Sequence, residues 1–307
     1  MTDESSLAVT GVLRSRSAVF SNTPLKVMTY NVRDGELNVG SYDQAVTDRK
    51  VGLAKTIALK NPEIVCLQEC KDLSASSLAS SCASNGTRTY TVYQPSGKTS
   101  AVLYDANLFT RLSNGYVDIT VPKADGGDGY QRAGVWVKLK RKEDNVIFYV
   151  VSTHFDLNTP QTSAENLYAY IQANFGNYPV IIGGDLNANE ARWVNIGWFK
   201  GRGFTNANTA YVNFLKDNHI TGGNAGWNDR VSGSAADNGL AATFPKDGTI
   251  LDWIYFNSEI LSVSSYEVVT TKVKWTYSSY QTLWQDKSIT DNPSDHYPVY
   301  TVLTFGV

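Results

Sequence analysis

Apolar positions along this chain fall into short runs that alternate or cluster, and most of the runs end on polar residues. Leu25 to Val32 (LKVMTYNV) alternates as a strand does. Tyr42 to Leu59 carries Val46, Leu53 and Ile57 near helical spacing, and Asn61-Pro62 stops it. EIVCLQE (63–69) is a short apolar run, a buried strand that ends in a polar pair. The same grammar predicts a helix over 73–80 and strands over 89–94, 100–105, 115–121, 132–141 and 145–153, the last two joined by a charged turn at Lys142–Asn145. A helix from Ser163 to Asn174 stops before Pro179, and PVIIGGDLN is again a buried strand with a polar end. Residues 190–200 read as helix. Residues 201–248, rich in Gly, Asn and Asp, read as a long loop with little regular structure. Strands over 251–257, 264–274 and 297–305 close the chain. Residues 1–24 are rich in Ser and Thr, end at Pro24 and read as a tail with a strand pattern at 8–13. With no repeat and no linker after residue 24, residues 25–307 form one expected domain, an α/β (α+β) arrangement of sheet layers covered by helices.

Composition narrows the function classes. At 307 residues, 42% hydrophobic and 12% aromatic, the chain can bury a sizeable core, which excludes wholesale disorder. Its net charge is -2, whereas a protein that grips polynucleotide mainly through phosphates usually carries a basic excess. Basic residues are therefore gathered locally, or bound metal does the work, or the substrate is not a long polynucleotide. Three cysteines cannot complete a disulfide framework: Cys66 reads as core, while Cys70 and Cys82 are either paired or two free thiols. No stretch reaches the ~18 apolar residues of a membrane span, and residues 1–24 lack the apolar run of a secretory signal. A soluble chain is the expectation, with its compartment, secretion included, left open.

The polar residues that follow apolar strands are Asn31, Gln68 and Glu69, His154, Asp185 and Asn187, Asp252, Asp295 and His296. Taken singly, each has a plain structural reading, since Asn is a turn former and Asp caps helices. Together they have no shared structural explanation, and strand ends are where active sites of layered α/β proteins collect.

MTYNVR (28–33), CLQEC (66–70), STHFD (152–156), GGDLNA (183–188), LDWIYF (251–256) and PSDHYPV (293–299) occur in the order seen in the endonuclease/exonuclease/phosphatase superfamily, which the chain resembles over residues 25–307. The resemblance implies a four-layer αββα sandwich, two mixed sheets face to face with helices outside and a site at one sheet edge. It also implies metal-dependent hydrolysis of a phosphoester, in which a hard cation neutralises charge developing on the phosphoryl oxygens. Magnesium is the implied cofactor, with manganese or calcium as alternatives. By the same resemblance Glu69 is the direct metal ligand, with Asn31 and Asp295 close by, directly or through water. Asp185 would orient or deprotonate the attacking water and Asn187 would donate to the phosphate. His154 and His296 would hold non-bridging oxygens, as doubly protonated rings do best. Asp252 would pair with His296 and raise its pKa. Both Asp185 and the Asp252–His296 pair can be argued for the base.

Arg132 falls where many members carry an arginine that meets phosphate. Lys71 sits where the pancreatic-type deoxyribonucleases place an arginine that reaches into DNA, although its plainer reading is a solvated lysine. Three departures matter. GKTSAVLY (97–104) offers no acid to pair with the first histidine, which lowers the expected basicity of His154. GGDLNANE lacks the arginine typical of inositol-polyphosphate phosphatases, and LDWIYF lacks the basic residue often found before this aspartate. The leading expectation is a magnesium-dependent phosphodiesterase acting as a monomer, DNA being the first candidate substrate. The alternatives are a sphingomyelinase-like or small-molecule phosphoesterase, with Trp193, Trp198, Trp227 and WTYSSYQTLW (275–284) as a rim on lipid or simply as packing, and a non-catalytic binding protein on the same fold.

Overall fold

The structure, a computed structural model, describes residues 23–39, 42–122, 129, 131–188, 199, 201–217, 242–246, 248–257, 261–277 and 287–305. In chain order its strands are β1 (Leu25–Asn31), β2 (Glu36–Val39), β3 (Tyr42–Ala45), β4 (Ile64–Gln68), β5 (Tyr90–Tyr93), β6 (Ala101–Asp105), β7 (Phe109–Asp118), β8 (Ala133–Arg141), β9 (Ile147–His154), β10 (Val180–Asp185), β11 (Phe204–Asn206), β12 (Asp252–Asn257), β13 (Leu261–Val268), β14 (Val273–Tyr277), β15 (Lys287–Asp291) and β16 (Val299–Phe305). The described helices are α1 (Val46–Ala58), α2 (Ala75–Ser84), α3 (Pro160–Asn174) and α4 (Ala207–Asp217).

Two six-stranded sheets carry the fold, in the orders β13-β16-β1-β4-β6-β5 and β11-β12-β10-β9-β8-β7. Both are mixed: β1 runs parallel to β4, and β9 parallel to β10, among otherwise antiparallel neighbours. Strand alternation assigns the layers. Leu25, Val27, Ile64, Cys66 and Val102 of the first sheet meet Val137, Phe148, Val150, Ile181 and Ile254 of the second in the central core. The intervening Met28, Tyr30, Val65 and Leu67 point the other way, against Leu53, Ala54 and Ile57 of α1 and Leu78 of α2. On the far side Tyr149, Val151 and Ile182 pack with Ala164, Leu167 and Ile171 of α3. The result is the expected four-layer αββα sandwich. Strands such as β4 and β10 are covered on both faces, which is why they read as short apolar runs.

The paired glycines of β10 answer a packing demand. A Cβ on Gly183 would lie 2.9 Å from Cys66 Sγ, across the inter-sheet core, and one on Gly184 would lie 2.2 Å from the Thr153 carbonyl oxygen. Gly183 therefore admits the close approach of the first sheet, and Gly184 the close approach of β9 within its own sheet.

Several expected elements shift. Residues 42–45, taken as the start of a helix, pair with β2 as a hairpin before α1 begins. Helix α3 starts earlier, at Pro160, a residue suited to the first helical turn. The strand expected at 115–121 begins at Phe109, within a long hairpin with β8. The strand expected over 264–274 is two strands, β13 in the first sheet and β14 in a hairpin with β15. The expected loop at 201–248 contains β11 and α4, and Asn206, within that stretch, caps the helix by accepting the Thr209 N–H at 2.7 Å. Residues 218–241, the tail to residue 22 with its strand pattern at 8–13, and the helix expected at 190–200 (Phe199 apart) lie outside the described residues. Cys66, Cys70 and Cys82 are all buried free thiols, so Cys70 and Cys82 do not pair. Among the described residues no helix is long and apolar enough to cross a membrane.

Candidate active site

Sheet register brings the polar strand ends together. In the second sheet Asp185 sits opposite His154 on one side and Asp252 on the other, so the three form one rung. In the first sheet Asn31 is opposite Gln68, which places Glu69 one residue past the end of β4. Strand β16 runs antiparallel to β1, so the Asp295–His296 segment just before it lies at the same end. Eight predicted residues, Asn31, Glu69, His154, Asp185, Asn187, Asp252, Asp295 and His296, thus cluster where the two sheets meet.

Hydrogen bonds fix their orientation. Asn31 Nδ2 donates to Glu69 Oε1 at 2.9 Å and to Asp185 Oδ2 at 3.0 Å, bridging the two sheets. Glu69 Oε2 accepts the Asp34 N–H, and Asn31 Oδ1 accepts the Arg33 N–H, each at 2.9 Å. Asp185 Oδ1 accepts the Asn187 N–H, while Asn187 Nδ2 donates to the Phe155 carbonyl, each at 2.9 Å. Ser294 Oγ donates to the Asn31 carbonyl at 2.7 Å and accepts the His296 N–H, tying the Asp295 loop to β1. Thr243 Oγ1 accepts the N–H groups of Leu251 and Asp252. Asp295 lies 3.6 Å from Arg33 Nε.

The two histidines flank Asp185, with Nε2 of His154 at 3.5 Å and Nε2 of His296 at 3.8 Å from Asp185 Oδ2. Their environments drive them apart. Burial pushes His154 down; Asp185 opposes this, but the charges of Arg132 and His296 add to it, and the ring settles at about 4. Burial would likewise depress His296, yet Asp252 Oδ2 at 2.7 Å from Nδ1, supported by Asp185 and Asp295, outweighs it and lifts the ring to about 10. At neutral pH, then, one ring is neutral and the other is a cation. The directions agree with the expected doubly protonated ring at His296 and run against it at His154, where burial is the largest cause and no acid stands at Nδ1 to offset it.

A model of the Endonuclease/Exonuclease/phosphatase family matches residues 28–296, spanning every site segment. The chain belongs to this family. Its fold is that of hydrolases acting on phosphoester bonds. Among solved structures, an endonuclease/exonuclease/phosphatase family protein from Bacteroides thetaiotaomicron is similar at 18% identity and a TM-score of 0.66, covering 94% of this chain and 100% of that one. A mannosyl-6-phosphatase of the same organism matches at 18% identity and a TM-score of 0.65 (92% and 100% covered), and D. rerio TDP2 complexed with single-strand DNA product at 15% and 0.60 (92% and 99% covered). At such identities the likeness carries the fold alone. No curated protein matches the sequence significantly.

Members of the endonuclease/exonuclease/phosphatase family generally depend on a divalent metal, and the residues here fit one. Glu69, His154 and Asp185 each bring a ligand atom within 4.8 Å of the others, as do Asp185, Asp252 and His296. Asp295 belongs to neither group, but its Oδ1 is buried without a hydrogen-bond partner among the described residues. A buried carboxylate oxygen left without a donor is costly, and a hard cation would satisfy it. The carboxylates of Glu69 and Asp295, with the Asn31 amide, could hold such an ion.

The remaining predicted residues divide. Arg132 joins the cluster through His154, its NH1 lying 2.8 Å from Nδ1. Lys71 does not: it is 69% exposed and its closest acid is Asp34 at 3.9 Å, as the solvated reading has it. It lines a separate cavity of about 620 Å³ with Cys70, Gln94, Lys98, Thr99 and Gln131. Trp275 and Tyr277 are buried against α1 rather than forming a rim, and Trp193, Trp198 and Trp227 lie outside the described residues.

Arg49, Asp34, Ser294 and Thr243 were not legible as site residues. Buried Arg49 reaches five carbonyls, donating to Val32, Arg33, Gly35, Gln44 and Pro293, and so pins both loops that carry Asn31 and Asp295. Its place in the helical stripe of Val46, Leu53 and Ile57 was a signal, since an arginine there has to bury its head.

Proposed function

We propose that this protein hydrolyses a phosphodiester with the aid of magnesium, a nucleic acid being the first substrate to test. The observation that carries the reading is the setting of Asp185. One of its oxygens is held by the Asn187 N–H, and the other faces Asn31, His154 and His296 beside Glu69. A phosphoryl group entering here meets the His296 cation and the His154 ring as donors to its non-bridging oxygens, with the Asn187 amide as a further donor. Asp185 is placed to orient the attacking water and take its proton. A histidine protonated up to about pH 10 has no lone pair for that task at neutral pH, which favours Asp185 over the Asp252–His296 pair as base. A cation held by Glu69, with Asn31 and Asp295 close by, would supply charge neutralisation at the phosphoryl and leaving oxygens.

The second reading, a small-molecule or lipid phosphoester, is favoured by the net charge of -2, since a long polynucleotide is usually met by a basic excess. The aromatic rim proposed for lipid gains nothing from Trp275, which is core.

Purified protein should be tested on supercoiled plasmid, single-stranded oligonucleotide, sphingomyelin and an aryl phosphodiester, each with magnesium and with chelator. Plasmid nicking that chelator stops and that weakens steeply with salt supports the nuclease reading. Turnover of only the lipid or aryl ester moves the protein to the second reading, and no turnover at all favours a binding protein. Glu69→Gln should abolish hydrolysis; unchanged activity would sink the site assignment.

A further inference from the structure

The residue bonded to the first histidine is not an acid. Arg132, on the approach to β8, places NH1 2.8 Å from His154 Nδ1. A guanidinium has only donors, so the ring nitrogen facing it has to present a lone pair. The opposite nitrogen gives the same answer independently. Nε2 lies 3.5 Å from Asp185 Oδ2, and a hydrogen there is attracted to the carboxylate whereas a lone pair would be repelled. His296 has the reverse arrangement at Nδ1, where Asp252 accepts.

We infer that Arg132 is a positioning residue that locks the buried His154 ring as the neutral Nε2–H tautomer. His154 then serves as a one-hydrogen donor to a phosphoryl oxygen and is neither a metal ligand nor a base at Nε2. This differs from the role expected of Arg132, direct contact with phosphate, because Arg132 acts through the ring. The consequence for rate rests on the phosphoesterase reading; the tautomer does not.

The test uses full-length, substrate-free protein with ¹⁵N-labelled histidine and a long-range ¹H–¹⁵N correlation at pH 7. The chain has three histidines, and His154→Gln identifies the resonance. The expected His154 pattern has Nε2 protonated and Nδ1 bare. Arg132→Lys, which keeps a donor, should retain it. Arg132→Met leaves only the longer-range pull of Asp185 and should admit a measurable Nδ1–H population. A wild-type ring that is Nδ1–H or doubly protonated would overturn the inference, as would an Arg132→Met ring that keeps the wild-type pattern. If hydrolysis is established, Arg132→Met should lower kcat roughly tenfold to a hundredfold with KM within about threefold, since a misplaced tautomer weakens the transition state rather than binding. A raised KM with unchanged kcat would instead mark Arg132 as a substrate contact and overturn it. The spectrum reads out with no activity at all, so failure of the tautomer and failure of the functional reading are separable.

Discussion

Asp252→Asn should remove the pH dependence that the Asp252–His296 pair gives to folding. The substitution is isosteric and leaves an amide oxygen to accept from Nδ1, so it removes charge and little else. In the wild-type fold His296 rises from 6.5 to about 10, with Asp252 the largest of the influences that raise it. At about 1.4 kcal/mol per pH unit that is roughly 5 kcal/mol of preference for the protonated ring, shared with the more distant Asp185 and Asp295. Asp252 alone should carry on the order of 3 kcal/mol. The folded pKa lies above the unfolded one, so the stabilisation is complete below pH 6.5 and disappears as pH climbs from 6.5 to 10. In the variant the ring keeps only the smaller preference given by Asp185 and Asp295, so in the fold it loses its proton at lower pH than in the wild type.

Urea unfolding of metal-free protein in chelator, at half-unit steps from pH 6 to pH 10, gives the comparison. The stability difference between wild type and variant should be greatest near pH 6.5–7 and shrink by about 3 kcal/mol on the way to pH 10. Lysines and tyrosines that titrate at the high end are common to both proteins and cancel in the difference. His296→Gln and the double variant complete the cycle: Asp252→Asn should add no pH dependence once the ring is gone. A difference that stays flat from pH 6 to pH 10 would refute the pairing as the source of the raised pKa.

Three further outcomes follow from the same structure. His154, depressed to about 4, contributes stability above pH 6.5 that is lost as pH falls toward 4; His154→Gln should shift the acid unfolding midpoint of metal-free protein downward, by up to about 3 kcal/mol in stability at pH 4, and an unmoved midpoint would contradict it. Arg49→Met strands buried carbonyls, at least those of Val32 and Pro293, and should cost on the order of 3 kcal/mol in urea unfolding while lowering any hydrolytic activity further than stability; a loss under about 1 kcal/mol with normal activity would show that the clamp is dispensable. Gly183→Val drives a side chain into Cys66 and Thr29 across the sheets and should lower Tm by roughly 5–10 °C, measured by calorimetry, whereas a change under about 2 °C would mean that the sheets can part there.

Much of this was written in the chain. Apolar runs located most strands, and the polar residues beside them included all eight of the cluster, because a strand covered on both faces admits a charge only at or past its ends. Asp252 opens β12, and Asp295 and His296 precede β16, rather than following them. Arg132 reached the list through resemblance alone, yet a physical route existed. The turn at Lys142–Asn145 fixes the β8–β9 register, in which Gly134 faces Thr153. Counting outward puts Ala133 opposite His154 and Arg132 one residue beyond, so the register alone brings a cation to the end of β9 where an acid was missing. Other features were not readable. Asn206 as a helix cap cannot be told from Asn206 as a loop residue without the helix it caps. Residues 42–45 fit a helical stripe as well as a strand, and only their pairing with β2 decides. Thr243 enters the site from a stretch with no periodicity at all, carried there by its bonds to Leu251 and Asp252.

The geometry past the strand ends shows how such a cluster is kept rigid. Arg33, Glu69 and Asn187 all have positive φ, at 55°, 62° and 50°, three of the five non-glycine residues so described. For L-residues this conformation costs on the order of 1 kcal/mol each and persists only where surroundings impose it. Here the imposing bonds are visible. After β1, Asn31 Oδ1 takes the N–H of Arg33, and after β10, Asp185 Oδ1 takes the N–H of Asn187, the same two-residue turn at the edges of both sheets. In each case one side-chain atom closes the turn and the other is left to face the centre: Asn31 Nδ2 toward Glu69 and Asp185, and Asp185 Oδ2 toward both histidines. Glu69 follows the same plan, with Oε2 on the Asp34 N–H and Oε1 on Asn31. The strained backbone therefore turns the chain away at once while its side chains stay behind, each tethered by one atom. A polar centre built this way needs little rearrangement when charge develops within it, which is the condition under which fixed dipoles stabilise a transition state.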